Sequence, residues 1–281
     1  MKRQRWLTLL AVITLVVTVT LHPVAAQAQN LWQRLLIQGV QMIQLSNIGP
    51  QQEVAIGQQI NQQMLRQGMR LYTDPRVQGY VNQIGQRLIS VGDRRNIPYT
   101  FQVISDRQVN AYATMGGFVY VTTGLIATAD NEAELASVIA HEIGHIEQRH
   151  VIRQMQRMAV AQGLMTAAGL DRDRGVQMAT ELAFRRPRSR EAEYEADRHG
   201  LVLLSRGNYA TSAMPAFLRK LGRQGSPPTI LSTHPAPNDR IVAAETMIRS
   251  GVNNLCTEQP ADPQCGTDPQ AYRQTLGLNR S

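Results

Sequence analysis

Five consecutive residues, His141 to His145, could hold and use a metal ion. On an α-helix, residues i and i+4 lie about 40° apart around the axis, so the imidazoles of His141 and His145 converge on one point. Glu142 lies about 100° from His141 and can take a proton from water without being a ligand. The spacing predicts a zinc peptidase in which Glu142 is the base.

A catalytic zinc takes three protein ligands and keeps a fourth position open. The metzincin pattern would need glycine at 148 and histidine at 151, where the chain has Gln148 and Val151. The third ligand must therefore come from elsewhere, and the acidic run 191–197 supplies carboxylates. Glu193 and Asp197 share a helix face, so that one can bind zinc while the other accepts the free N–H of an imidazole. The spacing alone leaves Glu191 and Glu195 as alternatives.

The elements that must position these residues are mainly helices. The segment His141 to His145 is an HExxH motif. Asp130 or Asn131 is expected to cap the helix that carries it, whose buried stripe contains Leu135, Val138, Ile139 and Ile146. Further helical patterns occupy 54–69, 75–92, 176–184, 191–204 and 212–221, and a last helix follows the His-Pro turn and ends near Arg249.

Strand patterns are few. Tyr99 to Ile104 alternates between apolar and polar residues, and Asn110 to Thr122 reads as two short strands around Gly116-Gly117. The fold class is therefore predicted to be α+β, mainly α-helical, with one small sheet.

The first 28 residues have the layout of a secretory signal peptide. Lys2, Arg3 and Arg5 precede the apolar run 7–21, and Ala26-Gln27-Ala28 offers a small-x-small cleavage site. The alternative is an uncleaved anchor, but the run is shorter than the ~20 residues that a membrane span needs. We therefore expect an exported protein in the periplasm or an equivalent envelope compartment, either free or associated with the membrane.

The expected export allows the two cysteines to be interpreted as a pair. Cys256 and Cys265 are the only cysteines in the sequence and lie close together. In an oxidising compartment this pattern predicts a disulfide between them.

The positive charge is concentrated in one region. Nine arginines lie between Arg149 and Arg190, against Asp171, Asp173 and Glu181. Such a patch can meet anionic lipid or acidic substrate segments, and the alternative is a solvated face. Nucleic acid is not an expected partner, because the chain shows no aromatic-basic interleaving.

Three separated motifs together resemble metallopeptidase family 48 of the gluzincins: the HEIGH segment, Glu193 with Asp197, and Asn110 to Ala113 followed by Gly116-Gly117. The similarity runs from about Leu45 to Arg249, with the motifs in the family's order. The sequence shows neither extra membrane spans nor C-terminal helical repeats, so it looks most like a secreted single-domain member.

The resemblance implies a zincin-like catalytic domain with one bound Zn²⁺, and a small sheet whose edge strand flanks the HExxH helix. It selects Glu193 as the third ligand and Asp197 as the residue that orients an imidazole. It also implies that His234, in the Thr233-His234-Pro235 segment, either caps the zinc in a resting state or stabilises the oxyanion. Arg240 is then a partner of the oxyanion or part of a structural ion pair. His150 and His199 receive no role.

The expected substrates are unfolded or extended polypeptides. A substrate would pair as an added strand with the edge formed by Asn110, Ala111, Tyr112 and Ala113, so recognition would be mostly through the main chain. The stretch from Met158 to Arg190 lies between the two ligand-bearing helices and is expected to cover the site as a lid.

The sequence thus predicts a signal peptide (1–28), a zinc metallopeptidase domain (29–255) and a C-terminal tail with the disulfide (256–281). The expected function is zinc-dependent degradation of unfolded or misassembled envelope proteins, by analogy with the family, in contact with the membrane or the outer-membrane assembly machinery. One alternative is a chaperone-like assembly factor with little or regulated proteolysis. A purely structural zinc protein is the other, and the intact Glu142 argues against it.

Overall fold

The computed structural model describes residues 42–43, 47–161, 170–223, 228–235, 237–252, 254–259 and 261–278. The chain divides into two compact units, Met1–Ile43 and Gln44–Ser281. Of the first unit, only the short strand β1, Met42–Ile43, is described. The signal peptide and part of the expected lid therefore lie outside the described residues.

The second unit is mainly helical, as the sequence predicts. Its helices are α1 Pro50–Arg66, α2 Pro75–Ser90, α3 Thr123–Thr128, α4 Glu132–Glu147, α5 His150–Ala161, α6 Arg172–Phe184, α7 Arg190–Arg206, α8 Ala213–Gly222, α9 Ile230–Thr233, α10 Pro237–Arg249, α11 Leu255–Glu258 and α12 Pro269–Leu276. Its strands are β2 Thr100–Ile104, β3 Ala111–Ala113, β4 Phe118–Thr122 and the two-residue β5 Leu170–Asp171.

Three of these strands form a small mixed sheet in the order β2-β4-β3. β2 runs parallel to β4, while β3 pairs antiparallel with β4 in the register Tyr112 opposite Tyr120. The chain turns between β3 and β4 at Gly116 and Gly117, whose φ angles of 72° and 88° favour glycine. The predicted pair of strands around a glycine turn is present, and β3 forms an edge of the sheet.

Helix α4 runs through the core. Every residue from Ala133 to Ile146 is buried, and the helix packs against α7, α8 and the sheet. Gly144 allows the close approach to α7, because a Cβ there would lie 2.7 Å from the main-chain oxygen of Ala196. Tight contact between these two helices brings the HExxH motif to the acidic run.

The predicted last helix, α10, is not the last one. α11 and α12 follow it, and the second of these buries Tyr272 and Leu276 in the main core. Asp268 caps α12 by accepting from the N–H groups of Gln270 and Ala271, and Pro269 occupies its first turn, so the local signals for a helix were present. The expectation that the helices end near residue 249 is therefore wrong.

The C-terminal segment is also joined to the rest by specific bonds. Cys256 and Cys265 form the predicted disulfide. The carbonyl of Gly266 accepts a hydrogen bond from the N–H of Ala133 in the first turn of α4. The hydroxyl of Tyr272 donates to the carbonyl of Ile126 at 2.7 Å. The segment is part of the same compact unit as the HExxH helix.

Within the described residues, none of the helices combines the length and the apolar character that crossing a membrane requires.

Candidate metal centre

The helix that carries the HExxH motif has a well-defined start. Asn131, one of the two expected capping residues, accepts a hydrogen bond from the N–H of Glu134 at 2.9 Å. Glu132 and Glu134 lie in the first turn, where carboxylates interact favourably with the helix dipole. The helix therefore begins at a fixed point, and His141 and His145 follow in its last turns.

Four side chains converge beside α4: His141, His145, Glu193 and His234. One ligand-type atom from each lies within 4.8 Å of the others, and all four residues are buried. The two Nε2 atoms of His141 and His145 are 3.0 Å apart, and Oε1 of Glu193 lies 3.3 Å from Nε2 of His145. The structure thus brings together the three ligands expected from sequence and adds His234 to the same group.

The orientation of His141 is fixed from behind. Its Nδ1 lies 2.8 Å from Oδ1 of Asp197, which can only accept. The proton therefore sits on Nδ1, and the lone pair of Nε2 points into the cluster. Arg240 holds Asp197 in turn, with Nε and Nη2 each 2.7 Å from a carboxylate oxygen. This is the contact predicted for Asp197.

Arg240 also binds Glu193, since its Nη1 lies 2.7 Å from Oε2. Burial would raise the pKa of Glu193, but the neighbouring His234 and Arg240 more than offset it and hold that pKa well below its usual value. Of the two roles expected for Arg240, the geometry is that of a structural ion pair, because its donors are directed at Asp197 and Glu193.

His145 has a partner that the sequence did not predict. Its Nδ1 lies 2.6 Å from Nδ1 of His150, and Nε2 of His150 lies 3.0 Å from Oε2 of Glu195. Burial, together with the charge of Arg188, lowers the pKa of His145 well below its usual value and favours the neutral imidazole that a metal requires. His150, to which the sequence analysis gave no role, therefore contacts one of the expected ligands.

The missed signal lies in the spacing. His150 follows His145 by five residues, which does not fit one helix face. The chain leaves α4 through Arg149, whose φ of 54° is unusual for a residue with a side chain, and α5 then begins at His150. This turn directs His150 back toward α4.

The carboxylate of Glu142 is unusual in its burial and its hydrogen bonding. Its side chain is fully buried, and neither oxygen has a hydrogen-bond partner among the described residues. Nε2 of His234 lies 3.5 Å from its Oε1. A buried carboxylate without donors is costly unless a cation or a polar ligand completes its surroundings. The imidazoles of His141 and His145, the carboxylate of Glu193 and the Glu142 carboxylate fit a divalent metal of the zinc type and a water molecule.

His234 lies inside the cluster rather than beside it. Its Nδ1 is 3.2 Å from Nε2 of His141 and 3.2 Å from Oε1 of Glu193. It sits at the end of the short helix α9, whose Ile230 N–H donates to the carbonyl of Val109 near the sheet edge. His234 is therefore held where it can act as a fourth ligand.

The four residues expected to bind substrate lie at and just before β3. Thr114 and Asn110 bond to β4 across the ladder, so the alternation of an antiparallel pair directs the main-chain groups of Ala111 and Ala113 away from β4. The N–H of Ala111 donates to the side chain of Asn110 at 2.9 Å. Both alanines are buried, so this edge does not face bulk water.

Arg188 is the second residue at the site that the sequence did not single out. It was counted in the arginine patch, yet only 4% of it is exposed. Its main-chain N–H donates to the carbonyl of Thr233, and its guanidinium Nη2 lies 3.5 Å from the carbonyl of Ala113. Burial lowers the pKa of Arg188, while the charges of Glu142 and Glu193 oppose that effect. Its position in a loop, outside any periodic pattern, gives no sequence signal of burial.

His199 lies away from the metal cluster. Its Nδ1 is 3.5 Å from Oε2 of Glu147, on the side of α4 that faces Asp93. The expected lid is described only in part, and within that part Phe184 packs against Tyr112 with ring centroids 4.8 Å apart. Its role as a lid stays a prediction.

Comparison with known proteins places this arrangement among the peptidases. The sequence profile of Peptidase family M48 matches residues 75–248. The beta-barrel assembly-enhancing protease of Escherichia coli (strain K12) is 36% identical over 288 aligned positions, which cover 96% of this chain and 57% of that protein. The protein of the same name from Yersinia pestis is 35% identical over 211 positions, covering 68% of this chain and 42% of its own length.

A more distant relative is the mitochondrial metalloendopeptidase OMA1 of Arabidopsis thaliana, 35% identical over 149 positions that cover 51% of this chain and 30% of that one. The chain spans about half the length of the beta-barrel assembly-enhancing proteases it matches. The matched region contains both ligand-bearing helices and the sheet, so the likeness includes the whole candidate centre. The chain belongs to Peptidase family M48.

Proposed function

We propose that the protein is a zinc-dependent endopeptidase that degrades unfolded or misassembled proteins of the envelope. The observation that carries the proposal is the fully buried Glu142 carboxylate, which has no hydrogen-bond partner in the described part of the chain and borders the cluster of His141, His145 and Glu193. A carboxylate kept without donors is available to take a proton. A purely structural metal site would have no use for it.

In this proposal, His141, His145 and Glu193 hold the metal. Zinc, when bound, supplies a Lewis acid that polarises the scissile carbonyl and makes water more acidic. Asp197 orients His141 through Nδ1, and Arg240 holds both Asp197 and Glu193 in place. These contacts pre-organise the ligands, so that little rearrangement is needed on binding.

Glu142 acts as general base and then as general acid. It takes the proton of the attacking water and returns it to the leaving amine as the peptide bond breaks. Burial keeps bulk water away, which strengthens the interaction of its charge with the reacting groups.

His234 is proposed to control access. In the structure its Nδ1 lies among the ligand atoms, which supports a resting arrangement in which it fills the fourth position. A substrate would have to displace it. Once displaced, its imidazole could donate to the developing oxyanion.

The proposed substrate class and cellular location are supported by the names of relatives and by the disulfide. Two relatives are named beta-barrel assembly-enhancing proteases, which suggests a related task for this chain in outer-membrane protein assembly. The disulfide between Cys256 and Cys265 fits an oxidising compartment, in agreement with the predicted signal peptide. A main-chain mode of recognition at β3 would suit unfolded chains of varied sequence.

The position of His234 also favours a second candidate function. A metal centre closed by a fourth protein ligand would hydrolyse little, while the edge strand β3 could still pair with an extended strand. The protein would then be an assembly factor whose proteolysis is regulated.

Casein degradation by three forms of the mature chain tests these proposals. Wild type should cleave fluorescein-labelled casein, and chelation should stop it. Glu142→Gln should lose at least a hundredfold in rate while keeping its metal, because only the base is changed. Equal cleavage by wild type and Glu142→Gln would disprove the peptidase proposal. Activity confined to His234→Ala would support the regulated form.

A further inference from the structure

Two arginines are buried at the candidate centre, and they differ in how their donors are used. Arg240 directs its guanidinium at Asp197 and Glu193, with distances of 2.7 Å. Arg188 has only the 3.5 Å contact from Nη2 to the carbonyl of Ala113. Its Nε and Nη1 atoms are buried and have no hydrogen-bond partner among the described residues.

An arrangement of this kind is unfavourable for a free protein. A buried guanidinium carries five N–H donors, and each donor without a partner costs free energy. An apolar side chain of similar length would avoid that cost at this position. The unsatisfied donors therefore indicate a ligand that is bound for part of the time.

The location of Arg188 identifies the kind of ligand. The loop that carries it bonds to Thr233, next to His234, and its guanidinium reaches the outward main-chain groups of β3. The carboxylates of Glu142 and Glu193 are the acidic groups that act on its charge. Arg188 thus lies between the edge strand and the proposed reacting groups, where a peptide paired with β3 would pass.

We propose that Arg188 is a substrate-binding residue that donates through Nε and Nη1 to a main-chain carbonyl of an extended peptide paired with β3. The proposal rests on the proposed peptidase function. In the free protein, Nη2 of Arg188 donates to the carbonyl of Ala113. In the complex, an N–H of the substrate takes that carbonyl, and Arg188 turns its donors to the carbonyl oxygen of the substrate.

The surroundings argue against a pocket for an acidic side chain. Arg188 lines a cavity of about 660 Å³ together with Arg153 and Arg157. Arg153 already pairs with Glu195, and Glu191 is also part of the lining. The cavity is therefore of mixed charge, while recognition of a main-chain carbonyl needs only the donors that Arg188 has free.

The test uses Arg188→Met, which keeps the length of the side chain and removes its donors. Binding of fluorescein-labelled casein is measured by anisotropy in the Glu142→Gln background, where turnover does not interfere. We expect Arg188→Met to weaken binding about tenfold or more, because donors to the substrate are lost. Its melting temperature should equal or exceed that of its parent, because two buried donors that have no partner among the described residues are removed together with a desolvated guanidinium.

This pairing of weaker binding with undiminished stability separates the proposal from a structural role. If Arg188 only stabilised the fold, the melting temperature would fall with the affinity. Arg185→Met serves as the matched control, because Arg185 lies in the same loop and is exposed. It should leave both measurements unchanged.

Two further outcomes would overturn the proposal. One is unchanged casein binding and cleavage by Arg188→Met while wild type is active, which would leave the peptidase function intact. The other is a selective loss of cuts beside Asp and Glu when the products are mapped by mass spectrometry, which would assign Arg188 to an acidic side chain. Failure of both wild type and His234→Ala to cleave casein would instead count against the proposed function.

Discussion

At the scale of single residues, the candidate centre contains two kinds of buried polar side-chain atoms. Some are hydrogen-bonded to other side chains, and others have no such partner among the described residues. Asp197 and Arg240 fix His141 and Glu193, whereas Glu142 and Arg188 have buried polar atoms that find no hydrogen-bond partner among the residues that the structure describes. Buried polar atoms without partners are rare in folded proteins and are expected where chemistry or binding takes place. The division separates the residues that would hold a metal from those that would act on a substrate.

His150 offers a test of how the second imidazole is oriented. A neutral His145 that binds metal through Nε2 must donate from Nδ1, and His150 is the acceptor at 2.6 Å. We expect His150→Ala to weaken zinc binding about tenfold to a hundredfold, as is usual when a ligand loses its supporting partner. His150→Asn should retain most of the affinity, because its side-chain oxygen can accept the same hydrogen bond.

The affinity is measured by competition with a chromogenic zinc chelator. Circular dichroism and thermal melting of the metal-free forms show whether the variants are folded. Identical affinities for wild type, His150→Ala and His150→Asn would mean that His150 does not orient His145.

Sequence reasoning named the residues that converge at the candidate centre, together with Asp197, but not the contacts of His150 and Arg188. The HExxH spacing follows from helix geometry, and the resemblance distinguished Glu193 from Glu191 and Glu195. His150 depends on a left-handed turn at Arg149, where glycine or asparagine would have been the usual signal. Arg188 depends on a loop whose path is set by tertiary contacts, which no local periodicity reports.

At the scale of elements, the centre depends on how closely two helices approach. Gly144 of α4 faces Ala196 of α7, one residue from the Asp197 that holds His141. Local propensity would favour alanine over glycine in the middle of a helix. The glycine is therefore explained by packing, since it brings the two halves of the metal centre within reach of each other.

Gly144→Ala should separate these helices. The added methyl group would meet the main-chain oxygen of Ala196 at 2.7 Å, a contact that backbone must relieve by moving. We expect a loss of about 1–3 kcal/mol in the free energy of unfolding and weaker zinc binding. Denaturant unfolding and metal content after dialysis measure the two effects.

Gly79→Ala is the matched control, because Gly79 lies in α2 and a Cβ there meets nothing within 4 Å. This change should leave zinc binding unaltered and stabilise the protein slightly, by up to about 1 kcal/mol. If Gly144→Ala behaved in the same way, the close approach of α4 and α7 would not be needed for the centre.

The elements themselves could be predicted more fully than their contacts. α2 begins at Asp74-Pro75 and buries Val77, Val81 and Ile84, as its period indicates. The capping of α4 by Asn131 and the strands around the glycine turn also agree with the sequence. What the pattern did not reveal is which short helices pack into the core, because a stripe of two residues such as Tyr272 and Leu276 is too short to be distinguished from a polar tail.

At the scale of the whole molecule, metal binding and folding should be coupled. Two carboxylates, Glu142 and Glu193, are buried at the centre beside histidines, and a divalent cation would neutralise their charge. A ligand that binds only the folded state stabilises it by about 2.7 kcal/mol at a hundredfold excess over its dissociation constant. The metal should therefore contribute visibly to thermal stability.

We expect a chelator to lower the melting temperature by about 5–10 °C, the shift that such a contribution gives in a domain of this size. Readdition of zinc should restore it. The measurement is differential scanning calorimetry of the mature chain, and Glu142→Gln should show a comparable shift because its ligands are intact. A metal-free protein of unchanged stability would argue against a metal centre.

The hydrogen bond from Ala133 to Gly266 connects the first turn of the metal-binding helix with a segment that the ribosome makes much later. During translation, α4 emerges while its acceptor at Gly266 and the covering side chain of Tyr272 do not yet exist. Helix α4, which carries the proposed base Glu142, therefore lacks this hydrogen bond at its first turn until the C-terminal segment has been made. The first turn of α4 can gain this acceptor only after residue 266 has been made, so we expect the proposed hydrolysis to require the C-terminal segment.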